Sequence, residues 1–157
     1  SITRSIAIAP GMFSNTAMIN ATYKTLGGWA LPVIEMADNT TNQIAMALPL
    51  PSDWVAGTAI KIKLLYSSST NSGNISFSFG SAKLAENAST ITGTGSSTVS
   101  LNVSSTAHGL KEYSYSISTN STTKVLHFYL RRKGTSGADT NNGNMYIHGV
   151  NIEYTAN

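Results

Sequence analysis

The amino-acid sequence predicts an all-β fold, an antiparallel, jelly-roll-like β-sandwich of about eight or nine strands. Three observations carry that prediction. Apolar and polar residues alternate with a period of two through most of the chain, which puts one face of each strand on a core and the other in water. Clusters of Gly, Asn, Asp, Ser and Pro interrupt the alternation at short intervals. Helical periodicity is thin throughout, which disfavours a fold of alternating strands and helices.

The first strand is expected at residues 4–9. Residues 1–23 lack a sandwich pattern of their own and are read as an N-terminal arm or first strand that reaches a neighbour. A single domain at 24–157 follows. Residues 14–25 and 81–88 carry the only helical signal, one short turn each. Strands at 29–36 and 43–50 flank the turn signal Asp38-Asn39-Thr40-Thr41-Asn42. In Pro51-Ser52-Asp53-Trp54 the proline fixes φ and Asp53 bonds local backbone, so the segment is a turn. Trp54 then packs as a lid on one end of the sandwich, with a ligand-stacking platform as the alternative.

The alternation is clearest in the middle. Ile60, Ile62, Leu64 and Tyr66 share one face, and Ile75, Phe77 and Phe79 another. Val99, Leu101 and Val103 form a third set, and Tyr113, Tyr115 and Ile117 a fourth. Asn71-Ser72-Gly73 and Gly93-Thr94-Gly95 are the turns between them. Strands at 124–131 and 144–154 end the sequence, across a Gly-, Ser- and Asn-rich loop at 134–143. In the last strand the apolar parity shifts between Ile147 and Val150, which places a β-bulge near Gly149.

Composition narrows the function classes. The 157 residues are 41% hydrophobic and 11% charged, with a net charge of +3. Ordinary domains carry ~25% charged residues, and here Ser and Thr fill the difference. Few charges guard the strand edges, so covered edges or a homo-oligomer are expected. The one basic cluster, Arg131-Arg132-Lys133, is too small for a nucleic-acid surface and reads as a solvated strand end, with an intersubunit contact as the alternative. Cysteine is absent, which excludes disulfides and thiolate metal sites. No apolar run approaches the ~18 residues of a membrane-spanning helix. The sequence opens without a signal-peptide pattern, and Ser1 fits a trimmed initiator position, so cytoplasmic synthesis is expected, with a processed precursor as the alternative.

No catalytic constellation is visible. Glu35, Asp38, Asp53, Glu86, Glu112, Asp139 and Glu153 are dispersed singly, whereas glycoside hydrolysis needs a carboxylate pair about one bond. His108, His127 and His148 lack metal-binding spacing and are read as packed or hydrogen-bonded, with His127 and His148 facing each other if their strands pair. No serine sits in a nucleophile elbow. Calcium is the one cofactor with candidates, Asp38 and Asp139, each in a loop with Asn side chains. Six sequons, at Asn20, Asn39, Asn74, Asn87, Asn102 and Asn120, mark polar surface.

Read in order, RSIAIAP at the start, Gly27-Gly28-Trp29, LPLPSDW with Gly57, IKIKLLYSSSTNSGNISF, FYLRR, GADTNNG and HGVNIEYT form a longer pattern. It resembles a tailed-phage virion domain met in head-fibre and tail-fibre-associated structural proteins. Ala138-Asp139-Thr140, and Gly149-Val150 with Ile152 and Tyr154, are its most specific points. One departure is Arg132-Lys133, where the family often has an acidic residue. The resemblance implies a non-enzymatic jelly-roll module on an oligomeric, often trimeric, part of a virion. The leading expectation is a capsid decoration or cement protein that contacts the major capsid protein. The alternatives are a fibre domain that binds a receptor or host surface glycan, an extracellular filament subunit with residues 1–23 as donor strand, or a carbohydrate-binding module of a cell. Trp29, Trp54, Arg131, Arg132 and Tyr146 are the candidate interface or ligand-stacking residues, with Tyr129 a further aromatic candidate.

Overall fold

A computed structural model describes residues 1–89 and 95–157, and among these the alternating segments form ten strands. They are β1 (Ile2–Ile8), β2 (Ala21–Leu26), β3 (Leu31–Met36), β4 (Thr41–Pro49), β5 (Ile60–Ser68), β6 (Asn74–Ala85), β7 (Gly95–Asn102), β8 (Lys111–Ile117), β9 (Thr123–Lys133) and β10 (Met145–Ala156). Residues Gly93 and Thr94 of the turn signal before β7 lie outside the described residues. One sheet has the order β2-β3-β10-β5-β8, with β1 also on β10; the other has the order β4-β9-β6-β7. Every strand pair is antiparallel.

The expected alternation supplies the core. Ile34, Met36, Ile62, Leu64, Ile147 and Ile152 of the first sheet meet Ile44, Ile75, Phe77, Leu126, Phe128 and Leu130 of the second, all buried. Phe79 crosses the interface to stack on Tyr115, with ring centroids 4.6 Å apart and planes within 10°. Such pairs contribute about 0.5–1.5 kcal/mol beyond their buried area. The bulge in β10 falls where the parity shift predicts it, between Ile147 and Gly149. Gly149 has φ +150° and lies so close to β1 that a Cβ there would sit 2.9 Å from the Ile8 carbonyl oxygen. The extra residue returns Val150 and Ile152 to the core face.

Residues 14–25 carry the one short turn expected there, a 3₁₀ turn at Asn15–Ala17, which with a second at Pro10–Met12 leads into β2. Strand β2 shows no alternation because it is an edge strand, with Thr22 to Thr25 exposed and Ala21 alone buried. One expectation changes: residues 81–88 do not turn helically, because β6 continues to Ala85 along β9. Residues 2–8 are placed as β1 within this chain's own sheet, paired residue by residue from Ile2–Ala156 to Ile8–Val150. Strand β10 is long enough to hold β3 at its start and β1 at its end on the same side.

Candidate functional site

At one end of the sandwich the β3–β4 and β9–β10 loops converge on a single buried arginine, and the β5–β6 loop joins them through Asn141. Arg132 follows Phe128 and Leu130 on the inward face of β9 and has 0% exposure. Its Nε and NH2 donate to the two Asp139 carboxylate oxygens at 3.1 and 2.9 Å, and NH2 reaches Asp38 Oδ1 at 3.4 Å. Backbone carbonyls complete the shell: NH1 donates to Met36 at 3.1 Å and Gly143 at 2.7 Å, and NH2 to Asn141 at 2.8 Å. This corrects the reading of Arg132 as a solvated or interface residue, since period two sends it inward where its neighbour Arg131 goes outward.

The same geometry answers the calcium candidates. Asp38 and Asp139 do meet, but around a guanidinium, and the carboxylate and carbonyl oxygens that a hard cation would take are turned onto Arg132. Among the described residues no group of three or more His, Asp or Glu is placed to hold a metal. At Asp38 and Asp139 the carboxylates thus serve Arg132. Buried Asn141 extends the clamp, donating to Thr70 Oγ1 and the Ser72 carbonyl, both at 2.8 Å, while its Oδ1 accepts from Ser68 Oγ at 2.9 Å.

Beside this clamped end, the outer face of the larger sheet carries an open cleft of about 390 Å³ lined by Leu26, Gly27, Leu31, Ser67, His108 and His148. Four separate parts of the chain build it. The β2–β3 hairpin supplies Leu26 and Leu31, which are register partners. Strand β5 supplies Ser67, and β10 supplies His148, whose Nε2 shares a 2.7 Å hydrogen bond with Ser67 Oγ. Burial pushes the His148 pKa below its usual value, which favours the neutral ring.

His108 comes from the β7–β8 loop. It adopts φ +62°, and its backbone N–H donates to the Ser68 carbonyl at 2.7 Å. That anchor stacks its ring on Tyr146, with centroids 5.8 Å apart and planes within 14°. The hairpin turn is made by Gly27 at φ +69° and Ala30 at φ +53°, closed by Ala30 N–H to the Gly27 carbonyl at 3.1 Å. Trp29 projects from this turn with 99% exposure.

The aromatic candidates separate cleanly. Trp54 is 8% exposed and packs in the core beside Ala156, as its reading as a lid requires. Tyr129 is 7% exposed, with Arg131 above its ring at 4.6 Å and Gly80 opposite it in the sheet. Tyr146 is 4% exposed beneath His108. Of the four, Trp29 alone presents its ring to solvent. Arg131 is held outward by Gln43 Oε1 at 2.9 and 2.6 Å. His127 and His148 do not face each other, because β9 and β10 belong to different sheets. Sequence reasoning missed Ser67, Leu26 and Leu31 as cleft residues; a hairpin of Leu-Gly-Gly-Trp-Ala-Leu was the available signal.

The two sheets define a jelly-roll β-sandwich, a fold also found in solved carbohydrate-binding modules. The solved structures this chain is similar to include a family 35 carbohydrate-binding module from Clostridium thermocellum, at TM-score 0.63 and 9% identity, covering 95% of this chain and 97% of that one. The family 35 module of Abf62 from Cellvibrio japonicus matches at TM-score 0.65 and 12% identity, over 98% and 99% of the two chains. A tailspike protein of bacteriophage CBA120, solved as its enzymatically active domain, matches at TM-score 0.51 and 6% identity, over 95% of this chain and 19% of that one. At these identities the likeness is one of fold. No family model and no curated protein sequence matches the chain.

Proposed function

We propose that the chain is a non-catalytic glycan-binding module whose ligand sits in the outer-face cleft against Trp29. The observation that carries this reading is the solvent-exposed Trp29 on a hairpin whose next residues line an open cleft with an apolar wall and a Ser67–His148 floor. Sugar rings present apolar C–H faces and a polar rim. An exposed indole beside a few fixed hydrogen-bonding groups is complementary to both. The carbohydrate-binding modules among its structural neighbours support the same reading.

Two finer points extend it. The resemblance to a phage virion domain, together with the tailspike neighbour, supports placing the module on a virion, where it attaches to a host surface glycan. An oligomer, a trimer for instance, would multiply a weak single-site affinity. Capsid decoration was the leading expectation from sequence, and the neighbours support the glycan-binding alternative ahead of it. The test is a glycan array followed by titration calorimetry on the full chain and on Trp29→Ala. Selective glycan binding by the wild type is expected, with affinity about tenfold or more lower in the variant and an unchanged melting temperature. An array with no selective signal would overturn the proposal.

A further inference from the structure

Resting on that reading of the cleft, we infer that its ligand is a neutral sugar bearing a methyl group, as an N-acetyl or a 6-deoxy substituent. The cleft has two unlike sides. Leu26 and Leu31 face each other across the hairpin and make one wall, while Ser67 and His148 make the floor. An unsubstituted hexose carries hydroxyls around its whole rim. Those turned toward the leucines would lose water without gaining a partner, which is costly. A methyl group at that position removes the penalty and adds buried apolar area.

The size suits a short sugar. A volume of about 390 Å³ lies near the lower end of the roughly 300–1,000 Å³ typical of small-molecule pockets. The β2–β3 hairpin bounds it on one side and the His108 loop on another. Charge sets the neutrality. None of the six lining residues is an acid, a lysine or an arginine, and on the flanking hairpin Lys24 and Glu35 are paired with each other at 2.7 Å.

The test is titration of the full chain with two matched pairs: L-fucose against L-galactose, and N-acetylglucosamine against glucose. The first pair reads the 6-deoxy group and the second the N-acetyl group. One pair is expected to favour the methyl-bearing member by about fourfold to tenfold. Leu31→Ser should erase that preference, so that the two members of the pair bind with equal affinity. Leu31 is 49% exposed, so this variant is expected to fold, as its melting curve would verify. Equal binding within both pairs would overturn the methyl-sugar inference and leave the glycan-binding reading standing. No binding by any of the four, with an array that is also blank, would overturn both.

Discussion

Replacing Arg132 with methionine is expected to cost about 5 kcal/mol of folding stability. The side chain pairs with Asp139, and both are fully buried. Breaking such a pair by removing one partner costs about 3–5 kcal/mol, because the remaining charge stays buried. The Met36, Asn141 and Gly143 carbonyls also lose a charged donor, which places the loss at the upper end of that range. Domains are stable by about 5–15 kcal/mol, so the variant would sit near the edge of folding. At this chain length the loss corresponds to a fall in melting temperature of about 10–20 °C. Urea titration and calorimetry would measure it. Arg132→Met combined with Asp139→Leu should recover roughly half of the loss, since the stranded charge is gone; recovery stays incomplete because Asp139 also accepts from the Ser76 backbone N–H. A chelator or added calcium should leave the wild-type midpoint unchanged, because these carboxylates already neutralise an internal cation. A loss under about 1 kcal/mol in Arg132→Met, or a double variant less stable than the single one, would refute the account of the buried pair.

Gly80→Val should cost about 1–3 kcal/mol, because a Cβ at Gly80 would fall 1.9 Å from Tyr129 Cε1 and push the ring out of its place under Arg131. Chemical denaturation with Tyr129→Ser in the same chain checks it, and full rescue is expected. His148, its pKa lowered by burial from 6.5, stays neutral in the fold, while the unfolded chain gains a proton. Its contribution is therefore fully present above about pH 6.5 and is lost as pH falls below that value. His148→Asn should have the flatter acid profile, and identical profiles would count against the assignment. Burial pushes the Tyr66 hydroxyl, which donates to the Asn102 carbonyl, up to about 12 from 10.0. Stability tied to it is complete below pH 10 and falls as pH rises toward 12. Tyr66→Phe should remove that alkaline slope.

Much of the sandwich was legible in the sequence because side-chain direction in a strand repeats every second residue, a purely local property. The faces of β5 to β10 and the Gly149 bulge follow from it. Strand β2 was not legible, since an edge strand with most of its side chains in water carries no alternation. Trp54 could be placed inside from its turn, but nothing local distinguished buried Tyr129 and Tyr146 from exposed Trp29. Which strands become neighbours is decided by contacts between distant parts of the chain, and so tertiary structure alone set β1 against β10 and His127 and His148 on separate sheets. The same long-range assembly brought Asp38 and Asp139 to Arg132, where their negative charge and the carbonyl oxygens of Met36, Asn141 and Gly143 compensate a guanidinium taken out of water. It also gathered Leu26, Leu31, Ser67, His108 and His148 around one cleft, a site that no single stretch of sequence contains.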